Sequence, residues 1–173
     1  MKRRLRKLSV AEVEAELPAL SVLLLDAVDG GASVGFLPPL SNGDVSRYWK
    51  EVVEAIQGGS RILIAAFIEG ELIGSVQVDL AARANGLHRA EVIKLMVHRK
   101  ARRQGIGRSL MAEAERSARE AGRSLLILDT RQEDPSERLY VSLGYREAGV
   151  IPRYARSASG ELHSTVLMYR ELD

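Results

Sequence analysis

Between residues 92 and 108 the chain passes from an apolar, β-rich stretch, Val92 to Val97, through Arg102-Arg103-Gln104-Gly105-Ile106-Gly107-Arg108 into an amphipathic segment. This junction restricts the fold more than any other feature. Two glycines within three residues allow a tight turn and a close approach of ligand to backbone. The spacing of Leu110, Ala114 and Ala118 predicts a helix over 106–121 ended by Gly122, and the apolar run that follows predicts a buried strand over 124–129. Strand, helix and strand in that order make a parallel crossover, and ligands of open α/β sheets bind beyond the carboxyl ends of such strands. Val97, the glycine loop and Asp129 are therefore expected around one crevice.

The remainder of the chain supplies the partners of that crossover. Leu5 and Leu8 suggest a short first strand, and Ser9-Val10-Ala11-Glu12 is a capping-box pattern that opens a helix running to about Ala27. A loop over 30–43 contains Gly30, Gly31, Gly35 and Pro38-Pro39; Asp44 is then expected to cap a helix carrying Val45, Trp49, Val52, Val53 and Ile56. Strands over 61–68 and 72–80 flank a Glu69-Gly70-Glu71 turn. In the strand over 89–97, strict alternation would put Glu91, Ile93, Leu95 and Val97 on one face and Val92, Lys94 and Met96 on the other. A short helix over 135–143 and closing strands over 145–150 and 164–170 complete the order. The result is an α/β mixed sheet with helices on both faces, in a single domain spanning 1–173.

Composition removes several classes of function. With 173 residues, 46% of them hydrophobic, the chain is long enough to bury a core of its own. No apolar run approaches the roughly 20 residues needed to span a bilayer, and no signal-type segment follows the basic N-terminus, so a cytoplasmic protein without membrane contact is expected. The absence of cysteine excludes disulfides, thiolate metal sites and a cysteine nucleophile, and His88, His98 and His163 are too dispersed for a metal motif. A net charge of +2 and 5% aromatics, not interleaved with the basic residues, argue against nucleic acid as a partner.

The glycine loop itself favours an anion. The first amides of the following helix lack internal acceptors, the helix dipole adds positive potential, and Arg99, Lys100, Arg102, Arg103 and Arg108 surround the turn. A dinucleotide site would require a third glycine where Leu110 stands, and a triphosphate loop would require a Gly-Lys-Ser/Thr that is not present.

Arg102-x-x-Gly105-x-Gly107 after Lys94-Leu95-Met96-Val97, with Leu139-Tyr140-Val141-Ser142-Leu143-Gly144-Tyr145 downstream, resembles the acetyl-CoA motif of the GNAT superfamily of N-acetyltransferases. The resemblance implies a GNAT-like, mostly antiparallel mixed sheet with a central splayed parallel strand pair, and acetyl-CoA as co-substrate with no metal. It assigns cofactor contacts to Leu95, Met96, Val97, Arg102, Arg103, Gln104, Gly105, Ile106, Gly107 and Arg108. One departure stands out: Glu133 lies where many members carry Asn. Further segments, Gly30 to Phe36, Asn85-Gly86-Leu87, Arg89 to Val92, Leu128-Asp129-Thr130 and Gly160-x-Leu162-His163-x-Thr165, resemble the tabtoxin-resistance acetyltransferases. That likeness implies a small amine-bearing acceptor, a β-lactam-like amino acid toxin among the candidates. Acetylation of a protein or peptide, a non-catalytic acetyl-CoA-binding module, and either a monomer or a homodimer all stay open at this point.

Amine acetylation requires a base to free the amine and an acid to receive the departing thiolate. The resemblance matches Glu91 and Asp129 to the base, acting through water, and Tyr140 to the acid. It also places Ser33, Val34, Phe36 and His163 at the acceptor. Each has a plainer role available: Glu91 could pair with Arg89 or Lys94, Asp129 could cap the turn into Thr130, Tyr140 could pack on a helix face, and His163 could be structural. Trp49, among Val45, Val52, Val53 and Ile56, is expected to pack within its helix.

Overall fold

A computed structural model describes residues 3–172. Strand β1 (Arg3–Lys7) leads into helices α1 (Val10–Asp29) and α2 (Asn42–Gln57), then strands β2 (Arg61–Ile68), β3 (Glu71–Leu80) and β4 (Arg89–Val97). Helix α3 (Ile106–Glu120), strand β5 (Leu125–Arg131), helix α4 (Pro135–Ser142) and strands β6 (Arg146–Arg156) and β7 (Leu162–Glu171) follow. The seven strands form one sheet in the order β1-β2-β3-β4-β5-β7-β6. Only β4 and β5 run parallel; the other neighbours are antiparallel.

Alternation along β2 sorts the two cores. Ile62, Ile64 and Ala66 join Ile106, Leu110, Met111 and Ala114 of α3 on one face of the sheet. Leu63, Ala65 and Phe67 join Leu20, Leu23 and Leu24 of α1 and Val45, Trp49 and Val52 of α2 on the other. Trp49 is only 1% exposed, as expected of a packing residue. The capping box on α1 forms as its spacing predicts, with Ser9 and Glu12 exchanging hydrogen bonds. In α2 the cap is Ser41 and not Asp44: Ser41 accepts from the Asp44 amide while its hydroxyl donates to the Asp44 carboxylate, so the helix starts three residues earlier than expected. The last hairpin is also longer than its apolar runs suggested, because the mostly exposed residues Ile151 to Arg156 continue β6 against β7.

Two irregularities in β4 shape everything at its carboxyl end. The parallel pairing with β5 covers only Arg89↔Leu125, Ala90↔Leu126 and Glu91↔Ile127, so the strands part beyond Glu91. Against β3, Ser75 pairs with Met96 but Gln77 pairs with Ile93, so Lys94 and Leu95 together face Val76 in a β-bulge, with Lys94 at φ +53°. The bulge inverts the alternation. Ala90, Val92, Leu95 and Val97 all lie on the α3 side, whereas Met96 is buried on the α1/α2 side. The expected grouping of Glu91 with Leu95 and Val97, and of Val92 with Met96, is therefore overturned by one inserted residue.

Candidate active site

Beyond the last β4–β5 pair the sheet opens into a gap, and two groups of residues meet there from opposite faces. On the α3 side lies the glycine loop. Gly105 is the helix N-cap at φ +77°, a conformation open to glycine at little cost, and it brings no side chain to cap the first turn. The first helical bond runs from Ser109 N to Gly105 O at 3.1 Å, so the amides of Ile106, Gly107 and Arg108 are left to an outside acceptor. Arg103, also left-handed at φ +63°, and Gln104 complete a turn whose backbone is presented outward. This donor set suits a polyanion such as a pyrophosphate.

The cations around the loop divide into two groups. Arg99 is bound to Asp26 of α1 through its Nε and its backbone amide, both at 2.9 Å, and Lys100 pairs with Glu71. These two residues, for which a surface role and a ligand contact were both open, are committed to acidic partners by the short 3₁₀ turn Arg99–Ala101. The neighbouring guanidinium of Arg99 and its amide hold the Asp26 carboxyl below the ordinary carboxylate range against the opposing effect of burial. Arg102 Nε donates to the Val97 carbonyl at 3.1 Å, and Arg108 Nη2 donates to Ser142 Oγ at 2.7 Å, tying the loop to the end of β4 and to α4. A Cβ at Gly107 would stand 3.3 Å from Leu139 Cδ2, so this glycine lets α4 come close.

That approach carries Tyr140 to the gap. Tyr140 is 6% exposed, packs 5.9 Å ring to ring from Tyr145, and its hydroxyl makes no hydrogen bond among the described residues. Burial, reinforced by the charge of Asp129, raises its pKa, so the phenol stays protonated. Of the other residues expected at the cofactor, Leu95 and Val97 are partly buried toward α3 and Met96 is buried toward α1 and α2. Their side chains diverge; what they share is the edge of β4 left without a β5 partner. Glu133 has φ +68°, a conformation that Asn adopts far more readily than Glu, and its amide donates to Glu137 at 2.6 Å.

On the α1/α2 side the gap is lined by charge. Glu91 and Lys94 of β4 are half-buried, and Asp129 of β5 accepts from Thr165 Oγ1 at 2.7 Å, which fixes one carboxylate oxygen and leaves the side chain exposed. Asp129 is thus a strand residue held by β7, not a turn cap. Burial, then the charges of Asp129 and Asp79, raise the Glu91 pKa, with Lys94 and Arg61 opposing. Asp129 therefore acts electrostatically on both Glu91 and Tyr140, which reach the gap from different faces.

The loop over 30–41 closes this side. Arg131 Nη1 donates to Gly31 O at 3.4 Å, and Phe36 packs edge-on against Tyr48 at 5.2 Å between centroids. Ser33 is exposed, whereas Val34, 8% exposed, is buried in the α1/α2 core, where its side chain anchors the loop. His163 on β7 lies 3.8 Å from the Glu161 carboxylate. Tyr48 and Gln77 were not foreseen here: Gln77 Nε2 donates to Tyr48 Oη at 2.7 Å, and burial raises the Tyr48 pKa to about 12. Their separation in sequence gave no signal; only the stacking of α2 on β3 brings them together.

Residues 29–145 match the model of the Acetyltransferase (GNAT) family. A curated relative from Azospirillum brasilense, an uncharacterized N-acetyltransferase of the hisH-hisA intergenic region, is 34% identical over 109 residues. That alignment takes in 62% of this chain and 63% of the relative, so the chain spans under two thirds of that protein's length. Among solved structures, the yncA acetyltransferase of Salmonella typhimurium with acetyl-CoA aligns with a TM-score of 0.83 at 19% identity, covering 100% of this chain and 95% of that one. A phosphinothricin acetyltransferase from Sinorhizobium meliloti in complex with AcCoA gives 0.82 at 22% identity, with 99% and 89% covered. The ribosomal-protein-alanine N-acetyltransferase of Brucella melitensis gives 0.82 at 24%, with 98% and 99% covered.

Proposed function

Since the chain belongs to the GNAT acetyltransferase family, we propose that it is a single-domain, acetyl-CoA-dependent N-acetyltransferase acting on the primary amine of a small molecule. Amino acids and β-lactam-like amino acid toxins of the tabtoxin type are the favoured acceptors. When bound, acetyl-CoA supplies an acetyl group activated as a thioester. The amides of Ile106, Gly107 and Arg108, with Arg103 and Gln104, hold its pyrophosphate, and the free edge of β4 from Leu95 to Val97 orients the chain that leads into the gap. A reaction that draws on acetyl-CoA belongs in the cytoplasm.

Glu91 and Asp129 take up the proton of the acceptor ammonium, through water, so that the nitrogen lone pair can attack the acetyl carbon. Tyr140, protonated because it is buried, donates to the departing sulfur as the C–S bond breaks, and the second proton that the nitrogen sheds as the amide forms passes through water to restore the phenol. Transfer is direct from donor to amine, since the chain has no cysteine to carry the acetyl group. The observation that carries this reading is the meeting of three elements at one break in the sheet: an uncapped helix start and a protonated tyrosine on one face, two carboxylates on the other. Ser33 and Phe36 from the loop, with His163 from β7, bound the acceptor. That loop covers the α1/α2 side, which favours a small acceptor over an extended peptide.

The test is CoA release measured over a panel of free amino acids, β-lactam amino acids, other amines and peptides. Acceptor-dependent release is expected, with small molecules ahead of peptides. Acetyl-CoA binding without turnover on any amine would identify a binding module instead, and a peptide preferred by orders of magnitude would reassign the acceptor.

A further inference from the structure

Lys94 is the residue the sequence treated as an ordinary strand position and the structure does not. The bulge holds it in the left-handed region at φ +53°, an uncommon and costly conformation for a long side chain, three residues past Glu91 and beyond the last β4–β5 pair. Its ammonium is turned toward the α1/α2 face. There Nζ lies 5.7 Å from the centroid of Phe36 and 5.9 Å from that of Tyr48, and a Cβ at Gly35 would stand 3.2 Å from it. The loop therefore leaves room for this cation where a larger residue at position 35 would press on it.

Lys94 makes no ion pair among the described residues; burial and then the charge of Arg61 lower its pKa, with Asp129 and Glu91 opposing. Of the other cations on this face, Arg61 is held by Asp79 at 3.0 Å and Arg131 donates to the Gly31 carbonyl. A half-buried ammonium with aromatic faces beside it and no carboxylate partner is a site for an external anion. Glu91 and Lys94 on β4 and Asp129 on neighbouring β5 meet at the gap, and Lys94 has no ion pair among the described residues. A ligand carrying an ammonium and a carboxylate close together satisfies both, the ammonium toward Glu91 and Asp129 and the carboxylate toward Lys94.

Building on the acetyltransferase reading above, we infer that Lys94 is the specificity-determining residue of the acceptor subsite, binding the carboxylate of an α-amino acid beside the Phe36–Tyr48 pair. Its ammonium donates to the acceptor carboxylate, while the amine on the adjacent carbon is presented to Glu91 and Asp129. Simple amines and carboxamides lack the anion and leave Lys94 unpaired.

The test compares matched pairs, each an α-amino acid and its carboxamide, by acetyl-CoA-dependent CoA release with wild type, Lys94→Met and Lys94→Arg. Wild type is expected to favour the acid by about 10- to 100-fold in kcat/KM, the range of a hydrogen bond to a charged group. Lys94→Met should collapse that ratio toward one, chiefly through KM for the acid, and Lys94→Arg should restore part of it. Equal use of acid and carboxamide by wild type would overturn the inference and leave the acetyltransferase reading standing. A Lys94→Met enzyme that is weaker on both yet keeps the ratio would also overturn it, since that is the behaviour of a residue that merely holds the loop. Wild type that acetylates no amine at all removes the acetyltransferase reading and the inference together.

Discussion

The two faces of the gap between β4 and β5 are built from different materials. On the α3 side the binding groups are backbone amides, exposed because Gly105 leaves the helix uncapped, whereas α1 and α2 close their own starts with Ser9 and Ser41. On the α1/α2 side the groups are charged side chains from β4 and β5, covered by a loop. Backbone groups suit what is constant, and in the function proposed above that is the phosphates of the donor. Side chains on a bulged strand and a loop can be exchanged one at a time, so the acceptor can change while the donor site is kept.

The difference can be probed from either face, and the largest effects belong to the chemistry between them. Tyr140→Phe is expected to lower kcat by roughly 10²- to 10⁴-fold while acetyl-CoA binding, followed by titration calorimetry, is retained. Equal losses of binding and turnover would mean that Tyr140 packs the fold and does not serve the sulfur.

Glu91→Gln should cost about 10²-fold in kcat/KM and remove the acid limb of the pH–rate profile, which in wild type should lie above the ordinary carboxyl value of 4.5. The same variant separates function from stability. Because its folded-state pKa is raised, Glu91 contributes stability fully only below its unfolded value, and that contribution is lost as pH rises through the folded one. Gln stays neutral throughout, so Glu91→Gln should melt higher than wild type at about pH 7 and converge on it below about pH 4. A lower Tm at neutral pH would show that the Glu91 charge stabilises the fold.

On the donor face, Gly105→Ala forces a left-handed alanine and should cost about 1–2 kcal/mol, seen as a lower Tm and a severalfold higher KM for acetyl-CoA. The smallest effect distinguishes the two groups of arginines. Arg103→Ala should raise the KM for acetyl-CoA a few-fold, less so in high salt, because the side chain is exposed. Arg99→Ala should leave that KM unchanged and lower stability, since Asp26 would lose its guanidinium partner. An Arg99 effect on acetyl-CoA would break the division drawn here.

Much of the donor face was legible in the chain. Gly105, Gly107 and the apolar run before them lie within one stretch, and a turn, a helix start and a strand end are local events; Tyr140, two elements further on, was named through the Leu139 to Tyr145 motif. The acceptor face was legible only in part. Glu91 and Asp129 could be named from their strands, but Val34 was assigned to the acceptor and is core, Tyr48 and Gln77 carried no signal, and Lys94 stood only as the first residue of a strand motif. Strict alternation misplaced the faces of β4 because a bulge is set by how two strands and a helix pack, not by either strand alone.

The sequence by itself determined most of the secondary elements, the parallel crossover and the glycine turn with its unpartnered amides, because each follows from local spacing and from glycines at fixed offsets. The tertiary structure decided where β4 parts from β5, which face Lys94 occupies, that Arg99 and Lys100 are taken by Asp26 and Glu71, and that Asp129 acts on Glu91 and Tyr140 together. Those outcomes depend on register and on distances between groups remote in the chain, and such distances exist only once both cores are packed.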